Sequence, residues 1–204
     1  MSRFLALGDS YTIGEGVAPH ESWPTRLQEA LEARGSKLEA RQVIAVTGWT
    51  AEELMAGIEA ECPAGPCALV TLLIGVNDQY RELPVARYRT GLVALLERAI
   101  ELAGGATDSV LVISIPDWGL TPFAEGRDRA AIAAGIAAFN AVAEDEAIRA
   151  GARWVDIRTV QDAPMVAGAD DDRFVGDNLH PSASAYKAWA AAILPFALAA
   201  LGRV

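Results

Sequence analysis

Arg3-Phe4-Leu5-Ala6-Leu7-Gly8-Asp9-Ser10-Tyr11 begins with a short apolar run and ends on a glycine, an acid and two hydroxyls. The run at 3–7 is too short for a helix and shows no polar alternation. That is how a parallel strand covered on both faces reads. The glycine lets the chain leave the strand sharply, and the serine then falls at a sheet edge where a helix can begin. Further runs of this kind lie at 41–46, 68–74, 109–115 and 153–156. Longer helical stretches separate them. Ser22-Trp23-Pro24 supplies a cap and a first-turn proline. Thr50 with Glu53 forms a capping box. Pro84 opens a helix reaching about residue 103, another spans roughly 127–150 before Gly151, and the last begins near Pro181. Strand–helix alternation of this kind predicts an α/β fold, a three-layer α/β/α sandwich around a parallel sheet.

With 204 residues and no repeat or low-complexity linker, the chain fits one domain, 1–204. Apolar residues make up 52% and the formal net charge is −10, so a packed core is expected and a phosphate backbone or anionic bilayer should repel it. No nucleic acid is expected as a partner. The longest apolar run, 188–201, is interrupted by Pro195 and falls short of the roughly 18 to 20 residues a bilayer requires, so no membrane span is expected. The stretch at 2–7 is too short for the core of a secretory signal, and a cytoplasmic location is the expectation. Cys62 and Cys67, four residues apart beside Pro63 and Pro66, lack the further ligands of a zinc site and read as two thiols flanking a loop. The irregular stretch 157–176 includes Asp170-Asp171-Asp172, which has no metal-ligand spacing and reads as a solvated loop face. No metal and no organic cofactor is expected.

Ligands of an open parallel sheet bind beyond the carboxyl ends of its strands. Four segments fall there. Gly8-Asp9-Ser10 presents a hydroxyl that can act as a nucleophile or simply shape a turn. It lacks the Gly-Lys-Ser/Thr ending of a phosphate loop, although Gly14 and Gly16 lie close by. Thr47-Gly48-Trp49 offers a glycine amide, and Gly75-Val76-Asn77-Asp78 an asparagine amide that can donate to a developing oxyanion. Asp177-Asn178-Leu179-His180-Pro181 holds one of only two histidines. The other, His20, sits in a polar loop. At a spacing of three, Asp177 can reach the His180 ring and fix its tautomer, which completes a nucleophile–base–orienter set with Ser10.

These four segments, in this order, resemble the GDSL or SGNH hydrolases over nearly the whole chain, from Gly8 to about Tyr186. The four hallmark residues map to Ser10, Gly48, Asn77 and His180, while Tyr11 stands where the leucine of the GDSL name would be. Tyr11 is expected to point away from the reaction. The resemblance implies a five-stranded parallel sheet with flavodoxin-like strand order. It implies Ser10 as nucleophile, His180 as base and Asp177 as its orienter. The amides of Ser10 and Gly48, with the Asn77 side chain, would form the oxyanion hole. The implied activity is hydrolysis of carboxylic esters, including acetylated carbohydrates or thioesters, through an acyl-enzyme, with a small-molecule ester as partner. The stretch 157–176 would carry His180 back across the sheet to Ser10. Trp49, Tyr80, Trp118 and Phe123 follow strand ends and are candidates to line the substrate cleft. A catalytically silent ligand-binding domain on the same fold, or a flavodoxin-like nucleotide binder, would be the rival readings.

Overall fold

Phe4, Leu5, Ala6 and Leu7 are almost completely buried, as a strand must be when helices cover both faces of its sheet. They lie in β1 (Arg3–Gly8), which pairs in parallel with β2 (Ala40–Ala45) on one side and β3 (Leu69–Leu73) on the other. β4 (Val110–Ile113) and β5 (Arg153–Val155) extend the sheet, also in parallel, to give the order β2-β1-β3-β4-β5. This computed structural model describes residues 2–161 and 173–202. β2 departs from the expected fully apolar run: Ala40, Val43 and Gln42 are exposed because this strand forms an edge.

Right-handed crossovers set the layers. The connection from β1 to β2 runs one way along the sheet and all later ones run the other. α2 (Trp23–Glu32) therefore lies on one face, where it packs against α8 (Ala183–Ala200). α3 (Ala51–Glu61), α5 (Val85–Leu102) and α6 (Arg129–Ala150) cover the other face, α5 packing against both its neighbours. The result is a three-layer α/β/α sandwich.

The Thr50 capping box forms as its sequence indicates: the Thr50 hydroxyl accepts from Glu53 N–H, and Glu53 accepts from Thr50 N–H at 2.8 Å. Ser22 does sit before α2, but its hydroxyl donates back to the Pro19 carbonyl at 3.0 Å and makes no cap bond. The last helix starts two residues later than expected, with Ser182 as its cap. α8 is long and apolar enough, by length and composition alone, to cross a membrane. Here that apolarity has another use: Tyr186, Trp189, Ala190, Ile193, Leu194 and Ala197 are buried in the core.

Three one-turn helices are absent from the sequence pattern: α1 (Ser10–Ile13), α4 (Val76–Tyr80) and α7 (Arg158–Gln161). α7 opens the 157–176 stretch, which was expected to be irregular. The Asp170–Asp172 run lies outside the described residues. Cys62 is exposed, Cys67 is buried, and both are free thiols.

Candidate active site

The direction of chain progress along the sheet reverses between β1 and β3, so the segments leaving those strands part and open a crevice at the switch point. Ser10 leaves β1 and Asn77 leaves β3. Ser10 is the first residue of α1, and the Asp9 carboxylate caps that turn by accepting the Tyr11 N–H at 3.0 Å. Gly8 serves a different purpose from the one expected. Its backbone needs no left-handed conformation; a Cβ there would lie 2.2 Å from Thr12 Oγ1 and 2.5 Å from the Leu73 carbonyl. Only a glycine lets the serine turn fold down onto the ends of the two central strands.

The segment before α8 brings in the imidazole. Asp177 Oδ1 accepts the N–H groups of Leu179 and His180, both at 2.9 Å, which folds the chain so that the two side chains meet. Its Oδ2 then lies 2.5 Å from His180 Nδ1. The other ring nitrogen, Nε2, lies 2.8 Å from Ser10 Oγ. Burial pushes the Asp177 carboxyl up, but the His180 ring and the two backbone amides outweigh it and hold it below the usual carboxylate range. Ser10 and His180 are both buried, at 4% and 8% exposure, beside a cleft that remains open to solvent. A hydroxyl, an imidazole and a carboxylate in line at these distances can pass a proton from Ser10 to His180 and stabilise the resulting imidazolium.

Gly48 and Asn77 both line this cleft of about 200 Å³. Gly48 adopts φ +85°, which a side chain would strain, and its carbonyl accepts from the Arg81 guanidinium. The Asn77 amide nitrogen donates to the Trp49 carbonyl at 2.9 Å and to Asp9 Oδ2 at 3.3 Å. Tyr80, Trp118 and Phe123 form one wall, with ring centroids 5.3 to 6.4 Å apart.

Two expectations need correction. Trp49 does not line the cleft; its ring packs over Gly57 of α3, where a Cβ would be 2.2 Å from the indole. The small residue on the helix gives the ring its seat, and only the Trp49 carbonyl serves the site. Nor does Tyr11 point away. Its buried ring lies 5.2 Å from the His180 ring and 5.9 Å from Trp189, so it backs the imidazole.

Sequence reasoning missed two further groups. The Arg127 guanidinium lies 5.1 to 5.5 Å from the centroids of Tyr80, Trp118 and Phe123, a cation seated on the aromatic wall. Asp9 is fully buried, and burial together with the neighbouring charge of Asp78 pushes its carboxyl up to about 7. Among the described residues, no three His, Cys, Asp or Glu side chains converge as a metal site requires.

A hydroxyl–imidazole–carboxylate chain at the switch point of a parallel sheet is the arrangement of a hydrolytic enzyme. The chain belongs to the GDSL-like lipase/acylhydrolase family, whose pattern matches residues 6–188. Its fold is similar to that of TesA (TM-score 0.75, 22% identity, 98% of this chain and 100% of that chain). It is also similar to the psychrotrophic esterase EstA from Pseudoalteromonas sp., in a structure inhibited by monoethylphosphonate (TM-score 0.66, 20% identity, 100% and 98%). A third similar structure is a catalytic mutant of an acetylxylan esterase from Geobacillus stearothermophilus (TM-score 0.68, 19% identity, 96% and 94%). A comparison with curated proteins gives no sequence match.

Proposed function

We propose that the protein hydrolyses small carboxylic esters through an acyl-enzyme on Ser10. The observation that carries this reading is the 2.8 Å approach of His180 Nε2 to Ser10 Oγ, with Asp177 on the opposite ring nitrogen. His180 takes the serine proton as Oγ bonds to the ester carbonyl carbon. The oxyanion that forms is met by the Ser10 and Gly48 amides and by Asn77. Collapse breaks the bond to the leaving alcohol, which receives the proton from His180. Water then attacks the acyl-enzyme, His180 accepts its proton, and the acid leaves as Ser10 regains its hydrogen. Asp177 keeps the ring in the tautomer whose Nε2 is free to accept, and it stabilises the imidazolium without itself taking the proton.

The cleft is smaller than the roughly 300 to 1,000 Å³ of drug-sized sites, and its open aromatic wall favours a short acyl group on a larger leaving group. The test is a panel of p-nitrophenyl esters of increasing chain length, with acetylated sugars and acyl thioesters alongside. Mass spectrometry then follows a phosphonate inhibitor. Turnover and a single adduct on the wild type, with neither on Ser10→Ala, are expected. An adduct that persists in Ser10→Ala would remove the serine from its role, and a folded protein inert to every ester would favour a silent binding domain.

A further inference from the structure

Asp9 is fully buried next to the nucleophile, and no step above uses it. Its Oδ1 caps the serine turn by accepting the Tyr11 N–H at 3.0 Å. Its Oδ2 accepts from Asn77 Nδ2 at 3.3 Å. The same nitrogen donates to the Trp49 carbonyl at 2.9 Å. An amide nitrogen has two hydrogens, so both are directed at protein acceptors in the resting site. The bond to Trp49 is short and anchored on backbone. The bond to Asp9 is long, and it is the one an incoming oxyanion can take over.

We propose that Asp9 is a positioning residue of the oxyanion hole: its carboxylate holds the second Asn77 N–H in the resting site and yields it as the oxyanion forms. This role rests on the ester-hydrolase reading. Its support is that an ordinary cap would not need a carboxylate. Asparagine caps helices as well as aspartate does and costs far less to bury. What the carboxylate adds is a second acceptor oxygen, and that oxygen is the one facing Asn77. The cost is real. Asp78 of α4 adds a second negative charge nearby, its own carboxylate occupied by the Ala51 N–H at 3.0 Å. The hydroxyls of Tyr11 on α1, Tyr88 on α5 and Tyr186 on α8 feel the Asp9 charge from the surrounding elements. No cationic side chain pairs with Asp9 among the described residues.

The test is Asp9→Asn. Its oxygen can still cap the turn, but its NH₂ then faces the NH₂ of Asn77, and two donors repel. We expect kcat on a short-chain ester at pH 8 to fall by about 10- to 100-fold, with KM within about twofold and no drop in melting temperature at that pH. The second readout needs no substrate. In a His180→Ala background, the Asn77 side-chain amide resonances should shift with pH near the Asp9 midpoint of about 7, and Asp9→Asn should abolish that shift. Unchanged kcat, or a loss that follows a lowered melting temperature while the Asn77 signals stay still, would reduce Asp9 to a cap and overturn the proposal. If the wild type cleaves no ester yet the Asn77 signals follow Asp9, the hydrolase reading fails and the coupling of the two residues stands. If those signals ignore Asp9, the proposal fails whatever the enzyme cleaves.

Discussion

Replacing Asp9 by asparagine should stabilise the fold at pH 8 and not at pH 4. A buried carboxyl that titrates at about 7 instead of 3.8 binds its proton more tightly in the folded chain than in the unfolded one. Stability from this group is therefore complete below about pH 4, falls as pH rises to about 7, and is level above that. The displacement corresponds to about 4 kcal/mol. Asp78, pushed up to about 6 mainly by its own burial, shares the region, and the two acids release protons as a pair. About half the full value, roughly 2 kcal/mol, is thus a fair lower figure for Asp9 alone. The lost bond to Asn77 costs about 1 kcal/mol at every pH. The variant should then be about 1 kcal/mol less stable than wild type at pH 4 and about 1 to 3 kcal/mol more stable at pH 8. Urea unfolding followed by fluorescence of the five tryptophans, at pH 4, 6 and 8 and fixed ionic strength, reads this directly. A stability difference constant to within about 0.5 kcal/mol across that range would show that Asp9 does not change charge there, and the electrostatic account would be wrong.

Ser10→Ala and His180→Ala should each lower kcat by at least about 10³-fold, and the double variant should be no worse, because the two act as one unit; additive losses would separate them. Gly75→Ala combines φ +124° with a Cβ placed 2.5 Å from the Tyr88 ring, so a loss above about 3 kcal/mol in chemical denaturation is expected, and near-wild-type stability would contradict the close packing. Leu179 lies between the catalytic cleft and a second, mostly apolar cavity of about 260 Å³ that also borders Tyr11 and Trp189. Leu179→Ala should join the two spaces and move the preferred p-nitrophenyl ester toward longer chains; an unchanged chain-length profile would show that they stay separate.

The buried strands are legible in the sequence because burial on both faces leaves a short apolar run bounded by turn signals, too short for a helix, as in Phe4 to Leu7. Ser10 and Asn77 are legible because each follows closely on a strand end, and Asp177 with His180 because a spacing of three lets one side chain reach the other. Glycines were harder to interpret. Gly8 reads as a turn residue, whereas its role comes from the close approach of Thr12 and of Leu73, the latter sixty-five residues away, which no local pattern encodes. The Trp49 ring likewise went to Gly57, since an aromatic after a strand can face either a cleft or a helix with a gap in its surface. Arg127 and Asp9 escaped for a related reason. A cation on three rings, or an acid shared between a cap and an amide, exists only once distant elements have met.

Ser10 follows the first strand of the sheet, and His180 precedes the helix that packs against α2 beneath it. During synthesis Ser10 leaves the ribosome early, and on the proposed mechanism it has no base until the segment carrying His180 has folded onto it. On that mechanism, cleavage of an ester would report that the first strand and the segment ahead of α8 have met. A chain stopped or clipped ahead of His180 would carry Ser10 without the imidazole that approaches it here. On the proposed mechanism, a product truncated ahead of His180 should therefore lose ester hydrolysis at least as fully as His180→Ala does.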